Sequence, residues 1–583
     1  MKSNYDKYPF VPVTSDRADC TVGWRDILHR IAGAVPAGGK AILCIECYPG
    51  VFEHDLLHAI RHSYPSARII RSADYFKPFS EVDDLVARDL TDDPVFGRLS
   101  GLVLSDFVDA RLLRQSADLL AGSNEGLFFV IGTGALLAAP NPDVLVYADL
   151  ARWEIQKRQR GFEISNLGVE NRGDSAAAKY KRAFFVDWRV ADRLKKRLLP
   201  RIDFLLDTND RREPKLISGD LFRRGLSMTT KLPFRVVPFF DPGPWGGQWM
   251  REVCDLPGDA PNYAWCFDCV PEENSLLLGF GPHRVEVPSI DAAFAHPREL
   301  LGDAVHARFG TEFPIRFDFL DTMGGGNLSL QVHPLTEYIQ EHFGMHYTQD
   351  ESYYLLDAGP DACVFLGLKD GVNPEAMAEA LQAAQEGGPP FPAGQYVNQW
   401  PAKKHDHFLI PAGTVHCSGR DSMVLEISAT PYIFTFKLWD WGRLGLDGRP
   451  RPIHLQHGLP NIQWDRTTPW VERELVNRVE LLSSGSGWRE ERTGLHRREF
   501  IETRRHWFTG PVPHITQGGV NVLNLVEGSE AIVESPAGAF EPFVVHYAET
   551  FIVPACVGAY DVRPTTSLSR PLATVKAFVR ANA

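Results

Sequence analysis

The sequence predicts a multidomain protein: an N-terminal α/β domain on a parallel sheet, then mainly-β domains with helical insertions. Three observations predict it. The chain has 583 residues, enough for about three or four domains. Residues 22–210 alternate short apolar runs with helical patterns, as a doubly wound parallel sheet requires. From Pro233 onward the pattern changes to short β runs punctuated by Gly and Pro, as in a sandwich or barrel.

The first domain is expected over 1–210. GGKAILCIECYPG (38–50) reads as a strand entering a glycine turn, and VFEHDLLHAIRHS (51–63) as the helix after it. SARIIRSADYF (66–76) is a second strand. SGLVLSDFV (100–108), GLFFVIGTG (126–134) and DVLVYADL (143–150) are further apolar runs, separated by helical patterns such as DARLLRQSADLLAG (109–122). KRQR at 157–160 and VADRLKKRLLPRI (190–202) read as helices with solvated basic faces. The polar, turn-rich NDRREPKLISGD places a linker at 211–232.

A β domain is expected over 233–479 and another over 480–583. Two helices interrupt the first: PRELLGDAVHARFG (297–310) and NPEAMAEALQAAQEGG (373–388). In the latter, Asn373 suits the N-cap, Pro374 the first turn and the glycines the end. In the last domain, FVVHYAETFIVPACVGAYDVRP (543–564) repeats the strand–turn–strand logic of FLIPAGTVHCSG (408–419). Ala559 or Tyr560 stands where the earlier copy has His416, so this second jelly roll is expected to lack metal ligands.

Composition excludes several classes of partner. A net charge of −13 argues against nucleic acid and anionic membranes, both of which need a basic surface. MKSNYDKYPFVPV lacks the apolar core of a signal peptide, and no apolar run is long enough to span a bilayer, so a cytoplasmic location is expected. Nine cysteines in so long a chain do not make a disulfide framework. The pairs Cys44–Cys47 and Cys266–Cys269 lie in strand-like runs, where positions three apart face opposite ways, so no thiolate zinc site is expected.

The chemistry concentrates in LSLQVHPLTEYIQEHFGMHYTQDESYYLLD (328–357). Period-two alternation puts Gln331 and His333 on one strand face, and Pro334 ends the strand. A short helical pattern follows, and a second strand begins near Glu351. His416 stands just past a Pro-Ala-Gly turn. An amide oxygen, a carboxylate and two imidazoles suit zinc or another divalent ion, with room left for substrate oxygens.

QVHP, a Glu on the next strand, IPAGTVH, LEIS and FKLWDWGR, preceded by WGG (245–247) and EFPIRFDFLD (312–321), together resemble the class I mannose-6-phosphate isomerases. The resemblance runs from about Pro233 to the C-terminus. It implies a cupin fold, a zinc ion on Gln331, His333, Glu351 and His416, and interconversion of an aldose phosphate with a ketose phosphate. Glu426, on a strand just after His416, is either the base that moves the proton or a carboxylate that orients a ligand. The sequence departs from the family at basic positions: Gln349 and Asp318 stand where lysines are usual, and Lys437 where an Arg is, with Arg443 close behind. Lys437 and Arg443, with Arg316, Lys403 and Lys404, are the cations left to meet a phosphate. His405 and His407 share one strand face, expected to be exposed. The resemblance implies a sugar phosphate as substrate, and the missing lysines leave an unphosphorylated or differently substituted sugar, or a non-catalytic sugar sensor, as alternatives.

The N-terminal region resembles P-loop kinases of the uridine-kinase type, with VIGTGALL (130–137) and DVLVYADLARWEIQKRQRG (143–161) similar to their later strand and lid. A working loop needs G-x-x-x-x-G-K-[ST]. Here ECYPGVFEHD retains only Gly50, which implies a degenerate domain without phosphotransfer.

Overall fold

The computed structural model describes residues 3–14, 19–35, 38–429, 432–444, 451, 453–494, 496–566 and 570–580. The chain divides into two units, each assembled from separated stretches. An α/β unit comprises Phe10–Thr229 and Ser275–Ala295, and a β unit comprises Met1–Pro9, Thr230–Asn274 and His296–Ala583.

The α/β unit is built on a seven-stranded sheet, ordered Thr21–Val22, Lys215–Ser218, Phe204–Asp207, Val144–Asp149, Lys40–Cys47, Gly126–Gly132, Arg68–Arg71. The last five pair in parallel, and Lys215–Ser218 and Thr21–Val22 extend the sheet antiparallel. Lys40–Cys47 is central and almost wholly buried, which is why it reads as a continuous apolar run. Helices Trp24–Ala32 and Glu53–Ser63 bury Ile27, Ile31, Leu56 and Ile60 against Leu43, Ile45 and Ile131.

Several expectations are corrected here. The stretch 211–232 is no linker: Lys215–Ser218 is a strand and Gly219–Thr229 a helix, with Leu216, Ile217, Phe222 and Leu226 buried. Its polar flanks masked those four apolar anchors. SGLVLSDFV carries one 3-10 turn, Leu104–Phe107, in place of a strand. The helix Trp188–Leu198 has no simple solvated basic face, because Lys195 is buried between Asp149 (2.6 Å) and Asp291 (2.7 Å). Arg158 of the KRQR stretch is also buried, while Lys157 and Arg160 are exposed. The segment 275–295, expected inside a β domain, belongs to the α/β unit as a hairpin, Ser275–Phe280 with His283–Pro288, and the short helix Asp291–Ala295.

In the β unit, two sheets carry the chemistry. One is ordered His407–Ile410, Asp350–Ala358, Ser422–Ala429, Arg316–Asp321, Trp265–Cys269, Phe239–Asp241. The other is ordered Val397–Pro401, Cys363–Leu368, His416–Ser418, Leu330–Val332, Phe436–Trp439. Helix Pro374–Gln385 is an insertion, with Asn373 Oδ1 accepting from the Ala376 N–H at 2.8 Å. The stretch 297–310 makes two helices, Pro297–Leu301 and Asp303–Phe309. They break at Gly302, whose φ is +85° and where a Cβ would lie 1.8 Å from the Gly518 carbonyl. Farther along, a six-stranded and a four-stranded sheet enclose a core that includes Phe508, Val512, Leu523, Val562 and Leu572. Residues 3–9, expected in the first domain, belong to the β unit: Tyr5 donates to the buried Asp268 at 2.5 Å, a pairing across 263 residues that no local pattern encodes. Cys44, Cys47, Cys266 and Cys269 are buried free thiols. Among the described residues, no helix is long and apolar enough to cross a membrane.

Candidate metal centre and its surroundings

Gln331, on strand Leu330–Val332, lies opposite His416 on one side and Lys437 on the other. Residues facing each other across antiparallel strands share a sheet face, so Gln331, His416 and Lys437 line one surface. The turn that aims His416 is held from three directions. Gly413, at φ +85°, donates to the His333 carbonyl at 3.0 Å, and a Cβ there would lie 2.7 Å from Gln463 Cγ. The Ala412 N–H donates to Asp350 at 2.8 Å. Arg466 clasps the Pro411 and Ala412 carbonyls at 2.8 and 2.6 Å.

His333, Glu351 and His416 bring their ligand atoms within 4.8 Å of one another, and all three are wholly buried. His333 Nε2 lies 3.1 Å from Glu351 Oε2, and His416 Nε2 lies 2.9 Å from Oε1. Each imidazole spends its other nitrogen on a main-chain carbonyl: His333 Nδ1 on Phe434 and His416 Nδ1 on Thr414, both at 2.8 Å. A carbonyl only accepts, so both rings carry hydrogen on Nδ1 and, when neutral, turn the Nε2 lone pair inward. Gln331 Nε2 lies 3.2 Å from His416 Nε2, and a half-turn of that amide presents its oxygen instead. Gln349 donates to Glu351 Oε2 at 3.0 Å and accepts from the Phe434 N–H at 2.9 Å, so it braces the carboxylate.

Electrostatics follow from this packing. Burial alone would raise Glu351, but the His333 and His416 imidazoles outweigh it and hold the carboxyl well below its usual range. Burial works to lower His333, and the Glu351 carboxylate overcomes it and lifts the ring above its ordinary value. For His416 burial prevails, and the ring stays below. His333 Nε2 and Glu351 Oε1 are buried without a hydrogen-bond partner, the state a coordinated ion relieves. Two nitrogens, a carboxylate and an amide oxygen therefore fit a divalent ion of the zinc type.

Glu426 lies opposite Asp318 on one neighbouring strand and Tyr353 on the other, and Ser428 lies opposite Arg316 and Glu351 in the same way. Glu426 thus shares a sheet face with Glu351. Burial, then the Glu351 and Asp318 carboxylates, push Glu426 well above the usual carboxylate range. Asp318 is pushed up to about 6 by burial, against the pull of Arg316 at 3.7 Å. Burial lowers Lys437 to about 8, and among the described residues its ammonium makes no hydrogen bond or ion pair. Arg443 is engaged by Asp440 at 3.0 Å and by the Asn327 carbonyl, and Arg451 reaches Asp440 at 2.9 Å.

His405 and His407 do not form an exposed pair. His405 sits in a turn at φ +73° with Nε2 3.1 Å from Glu527, which also holds Lys404 at 2.5 Å. His407 is wholly buried, and burial pushes it down to about 3. Sequence reasoning missed the Arg466 clasp and the Gln349 brace. Gln349 was visible only as an absent lysine, and Arg466 had no local signal.

Residues 23–231 match a domain of unknown function (DUF8485). The chain is 26% identical over 246 residues to the mannose-6-phosphate isomerase of Streptococcus mutans, covering 41% of this chain and 72% of that protein. It is 25% identical over 242 residues to the mannose-6-phosphate isomerase ManA of Bacillus subtilis, covering 40% and 69%. About two fifths of the chain is thus homologous to these proteins. A crystal structure of the Bacillus subtilis mannose 6-phosphate isomerase aligns with 59% of this chain and 99% of its own, at a TM-score of 0.48 and 17% identity.

Proposed function

We propose that the chain is a zinc-dependent sugar-phosphate isomerase that interconverts mannose 6-phosphate and fructose 6-phosphate. The observation that carries the reading is the buried convergence of His333, Glu351 and His416, with both Nε2 atoms turned inward. Homology to named isomerases supports it. The ion would be held by His333 Nε2, Glu351, His416 Nε2 and the Gln331 oxygen. Bound there, it supplies Lewis-acid polarisation of the sugar oxygens.

The remaining work falls to the chain's own groups. Isomerisation moves a proton between C2 and C1 of the sugar, and Glu426 is the group we assign to carry it. Glu426 shares a sheet face with Glu351, and burial with the neighbouring carboxylates raises its pKa well above the usual carboxylate range, which favours holding a proton it can return. Lys437 is the cation we assign to the phosphate, because Arg443 is already occupied by Asp440 and Asn327. Arg443 then positions the segment around Asp440. Arg316 neutralises Asp318, so that carboxylate is not left bare before an anionic substrate.

The α/β unit is proposed as a degenerate kinase-like domain. Its parallel strands, numbered from Lys40–Cys47 in chain order, run 2-3-1-4-5, which supports that reading. The turn after Cys47 offers no lysine and no hydroxyl for magnesium. Arg158 fills it instead, donating to the Gly50 carbonyl at 2.9 Å and lying 4.2 Å from the Phe52 ring centre. An acidic chain that handles phosphorylated sugars belongs in the cytoplasm.

The test is direct. The zinc-loaded full chain is given mannose 6-phosphate, and separately mannose, and ketose formation is followed by NMR. Fructose 6-phosphate should form. Turnover of free mannose alone would move the assignment to an unphosphorylated sugar, as Gln349 and Asp318 at the usual lysine positions allow. Binding of either sugar without turnover would make the protein a sensor.

A further inference from the structure

The C-terminal sandwich holds a second polar centre that the isomerase reading does not use. Register fixes its inward faces. On strand Ile501–Phe508, the core residue Phe508 sets the face that also carries His506 and Arg504. On Leu572–Val579, the core residue Leu572 does the same for Lys576, which lies opposite Arg504. Glu490 lies opposite His506 on the other side. From the four-stranded sheet, Val512 and Val562 set the inward faces that carry His514 and Tyr560, themselves opposite each other. The interior is therefore apolar at one end and densely polar at the other.

The polar groups are close but not mutually satisfied. The His506 and His514 ring centres are 4.4 Å apart, and His514 stacks on Tyr560 at 4.9 Å. Tyr560 donates to Asn521 Oδ1 at 2.9 Å and is thereby satisfied. His506 Nε2 lies 3.1 Å from Glu490, which also receives Arg504 at 3.0 Å. Lys576 has His514 Nδ1, at 3.4 Å, as its hydrogen-bond partner and no carboxylate ion partner among the described residues. His506 Nδ1 and His514 Nε2 are buried without any hydrogen-bond partner.

Donor and acceptor logic then assigns the protons. An ammonium only donates, so His514 Nδ1 accepts and its hydrogen sits on Nε2: an unpaired donor. His506 donates from Nε2 to Glu490, so its Nδ1 is an unpaired acceptor. Burial, against the upward pull of Glu490, holds His506 down at about 4, and burial with His506 and Lys576 alongside holds His514 well below its ordinary value, so both rings are neutral at pH 7. Lys576, lowered to about 8 by burial, still carries its proton there. One donor beside one acceptor matches a hydroxyl group, and an ammonium that has a ring nitrogen but no carboxylate for a partner matches a carboxylate. Among the described residues only His333, Glu351 and His416 bring three ligand atoms within reach of one ion, so this centre is not built for a metal.

We propose that the polar end of the C-terminal sandwich is a second ligand site, which takes a small hydroxy acid with its hydroxyl between His514 Nε2 and His506 Nδ1 and its carboxylate on Lys576. The probe is D-gluconate, with acetate and D-mannitol as partial ligands. Calorimetric titration of the zinc-loaded full chain should show a gluconate-binding event that persists in His416→Ala and weakens about ten- to a hundredfold in Lys576→Met, the loss of one charge-assisted contact. Carbon-13 labelling of histidine Cε1 provides a readout in the unaltered protein: gluconate should shift the His506 and His514 resonances more than either partial ligand at equal concentration. Unmoved His506 and His514 signals would overturn the proposal, leaving buried water as the partner of both rings. Acetate acting as strongly as gluconate would overturn the hydroxyl assignment. A gluconate event abolished by His416→Ala and untouched by Lys576→Met would place the ligand at the metal centre and refute the second site.

Discussion

At the scale of single residues, each ligand is aimed by a partner. His416 and His333 each spend Nδ1 on a carbonyl, so what remains for chemistry is one inward nitrogen apiece. His416→Ala should therefore remove most bound zinc, measured by elemental analysis, and all isomerase activity, while the circular-dichroism spectrum stays native. Glu426→Gln keeps the shape and removes the titrating oxygen. It should lower kcat about a hundred- to ten-thousandfold at unchanged zinc content. If Glu426 instead only orients a ligand, the loss will appear in zinc content and not in kcat of the loaded protein. Lys437→Ala should raise KM about ten- to a hundredfold for mannose 6-phosphate, the worth of a charge-assisted contact, and leave KM for free mannose unchanged.

At the scale of elements, the Pro411–Gly413 turn decides where the strand His416–Ser418 begins. Arg466, 50 residues downstream of His416 in the numbering, holds that turn through two carbonyls and is itself buried. Arg466→Ala removes the guanidinium donor from both carbonyls, leaving Pro411, among the described residues, with only its bonds from Thr414, and loosens the turn. Zinc affinity should fall about ten- to a hundredfold in a chelator competition, as for other groups that orient ligands. A variant that binds zinc as the parent does would show that the Gly413–His333 and Ala412–Asp350 bonds suffice. The same scale explains 211–232: a four-residue strand and a helix, each carrying two buried apolar residues, are too short for periodicity to outweigh their polar flanks.

At the scale of the whole molecule, buried charge inside the α/β unit gives stability a pH dependence. Burial lifts Asp291 to about 7, with Lys195 opposing and Asp149 adding to the rise. The unfolded aspartate titrates near about 3.9. Between those values the native state binds the extra proton, so this contribution is fully present at low pH and is lost as pH rises through about 7. Asp291→Asn removes the titration. The Tm of the variant minus that of the parent should grow more positive from pH 5.5 to pH 8, and a flat difference would assign the cluster another proton inventory. The full chain should also show no ATP-dependent phosphorylation of any sugar. Phosphorylation that changes at Gly50 abolish would make the α/β unit an active kinase.

The sequence by itself determined the class of each half, because a buried parallel strand reads as a near-continuous apolar run, as Lys40–Cys47 does, whereas short β runs that alternate apolar and polar residues between Gly and Pro, as around Leu330–Val332, read as antiparallel. Through its resemblance to the isomerase family it also proposed Gln331, His333, Glu351 and His416 as one set, and the structure brings His333, Glu351 and His416 within 4.8 Å of one another. Only the tertiary structure decided the rest. Tyr5 joins the β unit, Asp291 lies against Lys195, Arg466 clasps the turn before His416, and His506 and His514 face each other inside the last sandwich. The first three are contacts between residues far apart in the chain, and the last joins two strands of different sheets; each is made by a polar group whose neighbours in sequence look like solvated surface. Burial of such a group depends on what the rest of the fold brings to it, and local pattern holds no record of that.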